Sequence, residues 1–241
     1  MRMKKRDFPG RRLCGLLFLL LVAAAAPLPA QDCGGAFYQL KPNASFTLTT
    51  YNAKGKPALS ATHQYKSVDK TASGVTARLD VEMFDDKDKS MGTNSYDLTC
   101  EQGAIKLNMR EFAFMGAPTP GNLDVQVSGD DLVLPPTLQP GQALGGANFT
   151  LEGRLGEVKI MDRTFTVKDR KVEGQETIET PAGKFDCYKI SYLTDMEGML
   201  GKVRTFKTVV WYAKGPGMVR NESYDDKGKM TGYTVLTKYS Q

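Results

Sequence analysis

Leu59-Ser-Ala-Thr-His-Gln-Tyr-Lys66 decides the fold class. Leu59, Ala61, His63 and Tyr65 fall at every second position, with Thr62, Gln64 and Lys66 between them. Successive side chains of a strand point to opposite faces, so this spacing builds one apolar face and one polar face. The stretch reads as a strand of a sheet with a dry side.

The same alternation extends outward in both directions. Ala36 to Leu40 and Ala44 to Tyr51 read as strands around Pro42-Asn43, and Asn52 to Pro57 as a turn. Val75 to Met83 alternates, and Tyr96, Leu98 and Cys100 share a face. Residues 104 to 114 suit a strand or a short helix. Leu123 to Leu134 suits one strand or two around Gly129-Asp130. Further strands are expected at Phe149 to Leu155, Val158 to Val167, Val172 to Thr180, Phe185 to Leu193, Val203 to Tyr212, Met218 to Tyr224 and Thr231 to Tyr239. Pro135 to Gly141 is linker-like, and so is Gly116-Ala-Pro-Thr-Pro-Gly121, which marks a candidate internal boundary. No segment carries a helical stripe over eleven residues, which argues against a doubly wound α/β architecture. The expected class is mainly β: a large curved antiparallel sheet or incomplete barrel with few helices.

One turn recurs. Tyr51-Asn-Ala-Lys-Gly-Lys56, Phe84-Asp-Asp-Lys-Asp-Lys89 and Tyr224-Asp-Asp-Lys-Gly-Lys229 each join two candidate strands. An Asn or Asp side chain caps such a turn through its own backbone, and Gly accepts a positive φ. These are expected to be hairpins of one meander.

The N-terminus has a different composition. Met1 to Arg12 holds six basic residues and one acid, Asp7, and an apolar run follows from Leu13 to Ala26. Pro27-Leu-Pro-Ala30 ends it, and the chain turns polar at Gln31. These are the parts of a secretory signal, and the run is shorter than the ~20 residues a spanning helix needs. Residues 1–30 are read as a signal peptide cleaved after Ala30, with Ala26 as an alternative site, and residues 31–241 as a single β-rich domain. Neither Cys14 nor Cys33 has the small-residue context of a lipidated cysteine. The expected location is periplasmic or extracellular.

This leader accounts for the charge. The chain carries 32 basic and 27 acidic residues; without the leader 26 of each remain. No basic excess is left to attract phosphate backbones, so no nucleic acid is expected as a partner. Cys33, Cys100 and Cys187 follow the leader, and an exported chain can form a disulfide. Spacing alone does not choose the pair. Cys33–Cys100 is favoured because it would tie the new N-terminus into the fold, leaving Cys187 as a small buried hydrophobe.

The residues offer little catalytic chemistry. His63 is the one histidine, so multi-histidine zinc patterns are excluded, and it reads as a partly buried strand residue. Cys187 lies in a strand rather than at a helix N-terminus that would activate it. No Gly-x-Ser-x-Gly elbow exists. The pairs Glu173 and Glu176, and Asp225 and Asp226, read as solvated surface, and the Asp85 to Lys89 run lacks a full calcium loop. Gly141, Gly145 and Gly146 lack the Lys-Ser/Thr of a phosphate loop. Asn43, Asn148 and Asn221 begin Asn-x-Ser/Thr triplets. No catalytic, cofactor-binding or metal-ligating residue is assigned, and no cofactor is expected. The more suggestive content is apolar. Met83, Met109, Met115, Met196, Met199, Met218 and Met230, with Trp211 and Tyr212, suit either an adaptable pocket or an ordinary core.

Glu176 to Ile190, Val210 to Val219 and Glu222 to Lys229 resemble a family of uncharacterised exported bacterial proteins of Bacteroidetes type. Gly129 to Gln142 and the Cys33 region also resemble it. The Thr180-Pro-Ala-Gly-Lys-Phe185 element is similar, more distantly, to the periplasmic lipoprotein-carrier (LolA/LolB-like) group. That second resemblance implies a curved sheet around a hydrophobic cavity under a helical lid, and a lipophilic-ligand or envelope-assembly role. The expectation is a non-enzymatic periplasmic or cell-envelope protein that binds a lipid or other apolar ligand in its concave face, with an envelope protein as a further candidate partner. The alternative is a structural or adhesion-type accessory protein.

Overall fold

A computed structural model of the chain describes residues 33–71, 73–107, 123–198 and 201–241. The leader and the Gly116–Gly121 boundary lie outside the described residues. The elements are a 3-10 turn, Cys33–Gly35, and thirteen strands. These are β1 (Ser45–Asn52), β2 (Pro57–Lys70), β3 (Gly74–Asp85), β4 (Ser90–Glu101), β5 (Ala104–Leu107), β6 (Leu123–Gly129), β7 (Leu132–Leu134), β8 (Ala147–Leu155), β9 (Val158–Thr180), β10 (Gly183–Glu197), β11 (Val203–Ala213), β12 (Gly217–Tyr224) and β13 (Met230–Ser240).

All thirteen form one antiparallel sheet in the order β6-β8-β9-β10-β11-β12-β13-β1-β2-β3-β4-β5-β7. Its two edge strands, β6 and β7, are neighbours in sequence, separated only by Asp130-Asp131. Three Cα–Cα steps reach at most ~11 Å, so the sheet must curl until its edges nearly meet. The result is a half-barrel whose seam is spanned by covalent chain. Arg170 pins that seam: from β9 its Nη1 donates to the Val133 carbonyl of β7 at 2.7 Å. The guanidinium is buried, and burial lowers its pKa.

The inner face carries the core. Leu79, Leu98, Ile105, Leu107, Leu134, Ile190, Val172, Val210 and Leu236 are all buried below 2% exposure. Leu59, Ala61, His63 and Tyr65 all face this interior, as the period-two reading requires. His63 is buried more deeply than the sequence suggested: 3% of its surface remains exposed. It stacks on Phe46 at 4.4 Å, and Nδ1 lies 3.0 Å from the Tyr96 hydroxyl.

The three recurring turns have one chemistry. Asn52 Oδ1 accepts from Lys54 N at 2.9 Å and Lys56 N at 3.2 Å. Asp85 and Asp225 accept from the equivalent pairs, Lys87 and Lys89, and Lys227 and Lys229, at 2.8 to 3.0 Å. Gly55, Asp88 and Gly228 take the positive φ at 75°, 59° and 74°. The register sets Asn52 opposite Gly232, and Leu59 opposite both Thr50 and Asp85, so all three turns crown the same end of the sheet.

The other end is filled by the N-terminal segment. Ala36 to Leu40, expected as a strand, makes one bridge, Tyr38–Pro216; Gln39 N donates to the Gly215 carbonyl and Gly215 N to the Ala36 carbonyl. Its side chains do not alternate: Ala36, Phe37 and Tyr38 are all buried. Phe37 meets Tyr188 and Tyr212 edge-on, with the Lys214 ammonium 4.3 Å from its ring centroid. Gly217 makes room for this plug, since a Cβ there would lie 2.2 Å from the Tyr38 ring. The Cys33–Cys100 disulfide fastens the segment to β4.

Two ambiguous readings resolve, and one expectation merges. Residues 104–107 form a strand; the rest of the 104–114 stretch lies outside the described residues. Leu123 to Leu134 is two strands. The expected pair at Val158 to Val167 and Val172 to Thr180 is one 23-residue strand, β9. A bulge with Asp169 at φ 52° interrupts the alternation between them and turns Arg170 inward.

Candidate functional site

The plug fills one end of the half-barrel, and the core does not reach the other. A cleft of about 450 Å³ opens there, beside the β1–β2 and β12–β13 turns. Such a volume falls within the range of small-molecule sites, ~300–1,000 Å³.

Its lining divides by strand. Leu132 of β7, Phe149 of β8, and Phe165 and Val167 of β9 supply an apolar wall beneath the seam. Phe149 and Phe165 are direct partners across β8 and β9, and their rings stack at 4.8 Å. Thr194, Thr208, Asn221, Ser223, Thr234 and Thr50 line the cleft as well, from β10 around to β1. Thr50 and Thr234 bond each other at 3.0 Å. Tyr192 is buried at the cleft, and burial raises its phenol pKa. Among the described residues, no Asp, Glu, Lys or Arg lines it.

Asn221 is the unusual member. Its Oδ1 is closed to solvent and has no hydrogen-bond partner among the described residues. A buried acceptor left unpaired costs about 1–3 kcal/mol, so this atom is a standing demand for a donor. The sequence marks Asn221 only as the start of an Asn-x-Ser triplet.

The residues singled out from sequence lie elsewhere. His63 belongs to the packed core, where burial pushes its pKa down to about 3. Cys187 is 1% exposed, and burial lifts its thiol to about 12. Cys187 is the free cysteine among the described residues, as the favoured pairing requires. Trp211 sits outside the cleft. Its Nε1 donates to Glu176 at 2.6 Å, and Lys189 and Arg220 cover its ring. Tyr212 packs at the plugged end. Met83 and Met218 are core; Met196 lies near the cleft, and Met109, Met115 and Met199 lie outside the described residues. Ser191 bonds Glu173 Oε1 at 2.6 Å, and Glu176 is held below the usual carboxylate range by the Trp211 and Lys189 bonds. Asp225 caps its turn. Among the described residues no group of three or more His, Cys, Asp or Glu could hold a metal.

A curled antiparallel sheet, plugged at one end and open at the other over a neutral, half-aromatic cleft, defines the class. The chain belongs to the DUF3108-like family, whose model matches residues 43–236. That span reaches from the turn before β1 into β13, and it leaves out Cys33. Two crystal structures share the fold. One is of a protein classed as exported, with a YmcC-like fold, from Bacteroides fragilis: TM-score 0.73, 22% identity, covering 86% of this chain and all of that one. The other is of a protein classed as a lipoprotein from Parabacteroides distasonis: TM-score 0.74, 22% identity, covering 87% of this chain and all of that one. No curated protein matches the sequence.

Proposed function

We propose that this chain is a non-enzymatic protein of the cell envelope, periplasmic or extracellular, that holds an apolar ligand in the concave face of its sheet. The cleft carries the reading: a hollow with a Phe149–Phe165 wall on the inner face of the sheet. The unpartnered Oδ1 of Asn221 supports it, because a ligand donor would satisfy that atom. Export is supported by the leader and by a disulfide that persists outside a reducing cytoplasm. The likeness to the lipoprotein carriers enters here as an analogy of architecture. Those carriers close their cavity with a helical lid, whereas the helical element among the described residues is the Cys33–Gly35 turn at the plugged end.

Native mass spectrometry of protein gently extracted from its own envelope tests the proposal. A stoichiometric co-purifying lipid is the expected result, and a clean apo mass removes the reading. One observation favours the accessory-protein alternative. Leu155, Val158, Ile160 and Val203 stand 51 to 64% exposed where the β8–β9 and β10–β11 ends project. Exposed apolar side chains such as the paired Leu155 and Val158 suit an envelope protein partner.

A further inference from the structure

A second hollow of opposite character lies two residues further along the same strands. Thr194 lines the cleft; Met196, two residues on along the same face of β10, lines a smaller pocket of about 270 Å³. Phe165 stands directly opposite Met196 on β9, and Arg204 stands opposite Met196 on β11. Phe165, Met196 and Arg204 therefore form one row across three strands, passing from the aromatic wall to a guanidinium. Arg163, two residues before Phe165, lies on the same face, and Lys202 enters from the β10–β11 connection.

Arg163, Lys202 and Arg204 line this pocket, and among the described residues no carboxylate does. Neighbouring cations are neutralised. Arg154 pairs with Glu152 at 2.6 Å, and Lys159 pairs with Glu152 at 2.9 Å and Asp162 at 2.5 Å. Arg163 instead gives Nη1 to the Asp162 carbonyl at 2.8 Å, and neither it nor Lys202 nor Arg204 has a carboxylate within 4.0 Å among the described residues. Two guanidiniums and an ammonium converging without counter-charge suit an anion with several acceptor oxygens. The neighbouring cleft is lined by no charged side chain among the described residues.

We propose that the Arg163–Lys202–Arg204 pocket binds the anionic head, a phosphate, sulfate or carboxylate, of an amphiphile whose apolar part lies along Phe165 and Phe149. This rests on the cleft being a ligand site, and it adds the chemistry of the ligand's polar end. The tail enters the neutral hollow and the head stops at its cationic lip.

Titration of the folded protein with dodecyl phosphate, dodecyl glucoside and inorganic phosphate, each read by calorimetry below micelle formation, tests it. Dodecyl phosphate should bind at least ~10-fold tighter than dodecyl glucoside, the factor of about one charge-assisted hydrogen bond. The double substitution Arg163→Gln, Arg204→Gln should weaken dodecyl phosphate until the two amphiphiles bind alike. Equal binding of both amphiphiles to the unaltered protein overturns the head-group assignment while the cleft reading stands. Failure of both to bind overturns the two together. Inorganic phosphate binding as tightly as dodecyl phosphate would show a free-anion site unconnected with the cleft, and would also overturn the assignment.

Discussion

Acidification from about pH 7.5 to about pH 5 should destabilise this protein through one residue. His63 is the single histidine, and burial lowers its pKa from 6.5 to about 3. The folded state therefore holds it neutral while the unfolded chain protonates it near its ordinary value. Its contribution is fully present above about pH 6.5 and drains away as pH falls toward 3. At pH 5 the unfolded chain sits about 1.5 units below its own pKa, so ~2 kcal/mol of stability is gone. For a domain of this size that is a fall in Tm of ~4–8 °C. The carboxylates held low by their partners, Asp85, Glu152, Glu176 and Asp195, lie beneath this window, while burial raises Asp131, a contribution of opposite sign that the His63→Phe comparison cancels. The assay is thermal unfolding by circular dichroism across the interval, with His63→Phe as the comparison. Phenylalanine keeps a ring against Phe46, forfeits the Tyr96 contact at every pH, and removes the slope. A folded-state imidazole resonance that titrates near 6.5, or a His63→Phe protein with the parent's slope, would refute the reasoning.

Replacing Cys33 and Cys100 together with serine should lower stability by ~4 kcal/mol, the loop entropy of a 67-residue separation, read as a shift of the urea midpoint. Because burial holds the Cys187 thiol at about 12, a thiol reagent at neutral pH should leave it untouched in the folded protein and label it at once in denaturant.

The strands were legible wherever one face is dry and the other wet. Leu59 to Lys66 and Val75 to Met83 gave themselves away by alternation, and the three Asn/Asp-capped turns by their lysine spacing. The plug was not legible. Alternation is the sign of a strand, and Ala36-Phe-Tyr38 buries consecutive residues against Tyr188, Tyr212 and Gly217, none of them near in sequence. The seam was hidden for a related reason. A two-residue link at Asp130-Asp131 resembles a tight hairpin, yet it carries the chain from one edge of the sheet to the other. Gly129 is specific to that crossing: its φ is 118°, and a Cβ would lie 2.3 Å from the Asn148 carbonyl oxygen. Of the cleft, Phe149, Phe165 and Asn221 occupy ordinary inward positions. Alternation cannot tell an inward residue beside a hollow from one inside a packed core. Arg163 and Arg204 become neighbours of Met196 only through strand pairing.

The pairing of β1 with β13 imposes an order of events. Ser45 lies opposite Ser240, so β1 must wait for β13, made almost two hundred residues later. During synthesis β1 can zip to β2, but its other edge stays bare until β13 has emerged. Sheets dominated by such distant pairings assemble slowly and expose open edges meanwhile. The delay makes the half-finished meander a client for whatever guards unpaired strands.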